Sequence, residues 1–177
     1  MKALRWTAVA VACAWVLAAG VVRAQPADDT ATCSVSATVD SIMEWAGNFA
    51  AIDLGTMTAQ SDVLTGSATQ TLYTNGNVDV TADNTATAEL SEAGGDTLYT
   101  EYGLQYDGDG VAATGGSDVA YVVYSSFLST ASTITHVDGD GAVDITLQAR
   151  ASNAAGTQAD AGSYSATQTL TASWGTQ

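Results

Sequence analysis

From Ser163 to Trp174 the residue types alternate without a break. Tyr164, Ala166, Gln168, Leu170, Ala172 and Trp174 fall on one side, and Ser163, Ser165, Thr167, Thr169, Thr171 and Ser173 on the other. A strict period of two describes a strand with one buried and one solvated face. Ala161-Gly162 supplies the turn before it. Such a strand satisfies its backbone only beside other strands, so the rest of the chain has to supply a sheet.

It contains the material for one. Cys33, Val35, Ala37, Val39, Met43 and Trp45 occupy odd positions and predict one strand over 33–45, followed by a Gly47-Asn48 turn and a second strand from Phe49 to Met57. The stretch Ala68–Thr74 runs into Asn75-Gly76, the dipeptide of tight hairpins, and then Val78, Val80 and Ala82 alternate with polar residues. Further strands are predicted over 86–90, 97–106, 119–128, 132–137 and 142–151, with 119–128 apolar enough to be central. Ser41 to Glu44 also fits a helix capping box, with Ile42, Trp45, Phe49 and Ile52 at helical spacing, but Gly47-Asn48 would fall in the middle of that helix. None of the other segments has a helical period, and Pro26 is the single proline. Eight to ten short strands separated by Gly, Asp and Asn turns predict an all-β fold: one immunoglobulin-like or pilin-like antiparallel β-sandwich over 33–177. The intervals carry no repeated motif, which argues against a solenoid or propeller.

The first 24 residues read differently. Lys2 and Arg5 precede an apolar run from Trp6 to Val22, and Val22-Arg23-Ala24 resembles a cleavage site. That predicts a signal peptide over 1–24, then a flexible tail over 25–32, and a protein secreted to the periplasm, the cell surface or the medium. Removing it takes away three of the four basic residues and leaves Arg150 against all 19 acids. Phosphate binding relies on Lys and Arg, so nucleic acid is not an expected partner, nor is a membrane once the signal is removed. Cys33 is then the only cysteine and cannot form an intrachain bridge. Its phase with the apolar positions predicts burial, the alternative being an exposed thiol that pairs between chains.

Chemistry is sparsely represented. The one histidine, His136, stands near Asp138 at a predicted strand end, and nothing in the spacing of Glu44, Glu89, Glu92 and Glu101 brings two carboxylates together. An enzyme is not expected. The distinctive motif occurs twice, as Asp107-Gly-Asp109-Gly110 and Asp138-Gly-Asp140-Gly141, the second followed by Asp144. Carboxylates at positions one and three with glycine between them begin calcium loops, but position five is Val111 or Ala142, where such a loop needs an oxygen ligand. Asp-Gly is also a preferred turn dipeptide between strands. Turns are the expectation for Asp107, Asp109, Asp138, Asp140 and Asp144, with weak calcium binding as the alternative and no other cofactor.

Three short motifs resemble the spore coat U and pilin-like secreted β-sandwiches of bacteria: Cys33-Ser-Val-Ser-Ala after the signal, Ile52-Asp-Leu-Gly55, and Ala161-Gly-Ser-Tyr164 with the strand to Trp174. The resemblance implies a fimbrial or adhesive subunit that self-assembles or joins other surface proteins by donating a strand. On that reading Cys33, Val35, Ala37, Val39, Met43 and Trp45 are the assembly residues. The chain departs from the family pattern in having no second cysteine near Val80-Thr81, and its last aromatic, Trp174, lies three residues from the end. The expected function is a secreted structural or adhesive protein of a fibre or extracellular matrix; the alternative is a monomeric secreted module that binds carbohydrate or calcium.

Overall fold

A computed structural model describes residues 30–175. The expected signal peptide and residues 25–29 of the tail lie outside the described residues. The chain divides into a segment ending at Thr38 and a body beginning at Val39. In the first, residues 30–38 have no regular secondary structure and every one is exposed.

The body is all-β, as the alternation predicts. Its eight strands are β1 (Met43–Trp45), β2 (Val63–Thr74), β3 (Val78–Ala82), β4 (Tyr99–Tyr106), β5 (Val119–Val123), β6 (Ser132–Ile134), β7 (Ala142–Ser152) and β8 (Leu170–Trp174). They form two antiparallel sheets, one of five strands in the order β1-β2-β7-β4-β5 and one of three in the order β6-β3-β8. Among the described residues no helix is long and apolar enough to cross a membrane.

The long pair β2 and β7 is the spine of the larger sheet, in register from Val63 opposite Ser152 to Tyr73 opposite Ala142. β7 also pairs with β4 along its length, so both of its edges are hydrogen-bonded. Its odd residues Val143, Ile145, Leu147, Ala149 and Ala151 are buried, while Asp144, Thr146, Gln148 and Arg150 take the outer face. There Arg150 is held by Glu101 at 2.6 Å and lies 4.5 Å from the centre of the Tyr121 ring. Between the sheets, Leu72, Val78, Val80, Leu104, Phe127, Ile134, Val143 and Ile145 are all fully buried. Each such side chain contributes about 1.5–3 kcal/mol relative to exposure. Tyr102 packs against Phe127 at 5.6 Å and donates its hydroxyl to the Ala88 carbonyl, and burial pushes its pKa up to about 12.

Several expectations require correction. Residues 33–42 are not a strand: pairing begins only at Met43, opposite Thr74, and Cys33 is exposed. Alternation specifies which face a strand would bury, but it does not supply the partner that a strand needs. Phe49 to Met57 forms no ladder either. It is a strap whose Phe49, Ile52 and Leu54 pack on the core from outside both sheets. A Cβ on Gly66 of β2 would come within 2.6 Å of Ile52, so the absent side chain is what lets the strap sit this close.

Asn75-Gly76 does not close a hairpin. Both central residues of a type I′ turn need positive φ, and neither of these has it. The turn instead carries the chain from β2 in one sheet to β3 in the other, and the Asn75 side chain accepts from the Ile42 N–H and donates to the Asp40 carbonyl. The stretch 119–128 is not central: β5 is the outer strand of its sheet, and the apolar run continues through a 3-10 turn (Tyr124–Ser126) to plant Phe127 in the core. Residues 86–90 form a 3-10 turn (Ala86–Ala88) rather than a strand. In the closing stretch only Leu170–Trp174 joins a ladder. Before it, Tyr164, Ala166 and Gln168 keep their inward phase while the chain is tied by a Ser91–Ser165 bridge and by the Thr167 N–H to the Thr87 carbonyl.

Candidate functional site

The two Asp-Gly-Asp-Gly motifs lie 31 residues apart in sequence and meet at one end of the larger sheet. The Asp107 N–H donates to the Asp144 carbonyl at 3.1 Å, and the Asp144 N–H returns to the Asp107 carboxylate at 2.8 Å. Asp109 accepts from the backbone N–H groups of Val111 and Ala112, both at 2.9 Å. These bonds, that of Ala112 foremost, hold its carboxyl below the usual range. Asp140 accepts from the Thr114 N–H at 2.7 Å, and Asp144 from the Thr71 hydroxyl. Thr114, itself buried, donates its hydroxyl to the Asp140 carbonyl and accepts from the Val137 N–H at 2.9 Å. Asp138 is exposed at the turn tip.

Four of the five candidate carboxylates are therefore engaged by donors of the chain itself. Among the described residues no three His, Cys, Asp or Glu side chains are grouped to hold a metal ion. The first loop folds back on itself through glycine, and a Gly115–Thr135 bridge ties it to the chain leading into the second. A Cβ on Gly115 would collide with the Gly108 backbone, and one on Gly108 with the Thr114 carbonyl. His136, half-buried nearby, has Nδ1 at 3.5 Å from the Thr114 hydroxyl and gives its backbone N–H to Asn77. This end of the sandwich is a knot of turns.

The residues expected to carry assembly fall into two groups. Cys33, Val35, Ala37 and Val39 are exposed, Val35 to 92% and Val39 to 76%, and belong to no ladder. Met43 and Trp45 are half-buried in β1 against β2, with the Trp45 ring 5.5 Å from that of Phe49.

The opposite end of the larger sheet holds a feature that the sequence did not announce. The three-stranded sheet pairs and packs beside residues near Leu72, Val143 and Ile145, and beyond it the inner face of β2 and β7 is covered only by irregular chain. On one side is the strap from Ile52 to Ala59, on the other the run from Gln158 to Tyr164. Between them lies a cleft of about 530 Å³ floored by Leu64, Leu98 and Ala151. The strap is stiffened by Asp62, whose carboxylate accepts from the N–H groups of Thr58 and Ala59, both at 2.7 Å, and is held below its usual pKa by those bonds. Asn153 donates to the Gln60 carbonyl and accepts from the Ala159 N–H, spanning the two walls. Asp53 and Asp160 stand on the rim. The lining residues come from six separate stretches of chain, and the only local signals were Ile52-Asp-Leu-Gly55 and Tyr164.

No family model, curated protein or solved structure matches the chain.

Proposed function

We propose that this is a secreted structural or adhesive surface protein, a pilin-like subunit of a fibre or extracellular matrix that assembles with copies of itself or with other surface proteins. The supporting observation is the segment ahead of β1. It alternates Cys33, Val35, Ala37 and Val39 with Ser and Thr, as a half-buried strand does, yet all of it is exposed. Apolar residues in strand phase and without a strand partner gain from being laid along an open sheet edge, where backbone hydrogen bonds give affinity and alternate side chains give register.

Particle size tests the reading. The chain from residue 25 onward should form polymers visible by negative stain and by light scattering, and deletion of residues 25–42 should leave a folded species that no longer polymerises. A full chain that stays monomeric at high concentration, with amides 33–42 exchanging freely, would end the fibre reading and favour a monomeric secreted module that binds carbohydrate or calcium.

A further inference from the structure

The cleft at the open end combines three features that the fibre reading does not use. Its floor is apolar, with Leu98 and Ala151 only 7% and 1% exposed and Ile52, Leu54, Met57 and Leu64 half-buried around them. Its volume of about 530 Å³ falls in the range of small-ligand sites. Its mouth is acidic and carries an aromatic ring. Tyr164 lines the cleft, its hydroxyl tied to the Asp160 carbonyl at 2.8 Å. Loss of solvent first, and then the nearby carboxylates of Asp96, Glu92 and Asp160, raise the pKa of that hydroxyl. The carboxylate contribution is a negative field at the mouth, where Asp96 also bonds the Asp160 N–H, and such a field favours a cation.

Among the described residues no basic side chain neutralises this mouth. The one Arg among the described residues, Arg150, is on the outer face of the sheet and bound to Glu101. Asp96 accepts from the Asp160 N–H, and among the described residues no donor engages the Asp160 carboxylate itself.

We propose that the cleft is a binding site for a small organic cation with an alkyl chain, the chain lying on Leu64, Leu98 and Ala151 and the cationic head beside Tyr164 among Asp96, Glu92 and Asp160. An aromatic ring attracts a cationic head through its quadrupole, and neighbouring carboxylates add to that attraction. An anionic amphiphile would meet the carboxylates unfavourably, and a second copy of the chain, with a formal charge of −15, would do the same. A sugar would leave the leucine floor unused. The proposal holds whether or not the chain polymerises.

Octyltrimethylammonium, kept below micelle-forming concentration, is the probe. Calorimetric titration into the chain from residue 25 onward should give one site. Tetramethylammonium, which lacks the chain, and octanesulfonate, which reverses the charge, should each bind at least about tenfold more weakly. The tetramethylammonium arm removes the general attraction of an acidic protein for cations. Methyl NMR shifts should centre on Leu64 and Leu98. Asp160→Asn should weaken binding roughly threefold to tenfold and flatten its salt dependence, and Ala161→Arg, at an exposed rim position, should abolish it while leaving the β signature in circular dichroism intact. Equal binding of octanesulfonate, equal binding of tetramethylammonium, or shifts centred away from the cleft would each overturn the proposal. So would an Asp160→Asn protein with unchanged affinity and salt dependence.

Discussion

The two ends of the larger sheet treat the same kind of residue in opposite ways. Where β2 ends and β7 begins, Asp107, Asp109, Asp140 and Asp144 are turned onto donors of the chain, three of them onto backbone N–H groups, and the loops that carry them are joined through Thr114 and the Gly115–Thr135 bridge. Where β2 begins and β7 ends, Asp160 stands free at the mouth of a cleft beside Asp96 and Glu92. The difference is one of cover. The three-stranded sheet spans only part of the spine, and there the core closes completely. Past it, straps take the place of strands, and straps leave room. Four carboxylates at the covered end serve as turn staples; at the uncovered end Asp62 and Asp96 are stapled in the same way, and Asp160 at the mouth is left without a donor among the described residues.

The contrast predicts unequal responses to the same truncation. Leu72→Ala removes a fully buried side chain from under the smaller sheet and should cost about 2–5 kcal/mol in denaturant unfolding. Leu64→Ala, on the same strand but on the cleft floor, should cost nearer 1 kcal/mol, because the site is already open. Equal losses would show that the cleft end is packed as tightly as the rest.

A second variant probes the knot of turns. Thr114→Val preserves shape but leaves the Val137 N–H and the Asp140 carbonyl without their shared partner. Each orphaned buried group costs about 1–3 kcal/mol, so stability should fall by that order, with faster amide exchange in both loops. A loss confined to one loop would break the picture of a single joined end.

Tyr102 lies between the two regions, and its behaviour in base is fixed in sign. Its pKa is raised from an ordinary 10.0 to about 12 by burial. The stabilisation it gives is whole below pH 10 and is lost as pH rises through about 12. An alkaline unfolding limb in that window should shrink in Tyr102→Phe, measured relative to that variant's own stability at neutral pH.

The smallest effect is in acid. Asp109 at one end and Asp62 at the other are both held below the ordinary carboxylate range, by the N–H groups of Ala112 and Val111 and by those of Thr58 and Ala59. A lowered carboxyl stabilises above that range, and the contribution is lost as pH falls through the depressed value. Amide protection at Val111 and Ala112, and at Thr58 and Ala59, should decline together on acidification, and Asp109→Asn and Asp62→Asn should each remove the pH dependence at one end only.

How much of this was legible depended on how far apart the interacting residues are. The alternation of Val143 to Ala151 identified a strand and its buried face, and that of Leu170 to Trp174 a strand in which Leu170 and Ala172 are half-buried while Trp174 is exposed, because the pleat makes side-chain direction a property of neighbouring residues. Asp-Gly marked turns for the same local reason. The identical alternation at Cys33 to Val39 and the apolar run at Phe49 to Met57 produced no ladder, since a strand also needs a partner and the partner is set by the whole topology. Asn75-Gly76 carried a hairpin signal, yet the chain turns there with ordinary φ and changes sheet, because the neighbours of β2 are β7 and β1. Residue types alone determined an acidic, all-β body with almost no basic charge. Only the tertiary structure decided that the smaller sheet stops short of the spine's far end, and with it that Leu64, Leu98, Ala151 and Tyr164, remote from one another in the chain, share a cleft: a strand's period says which way a side chain points, and nothing about what lies across from it.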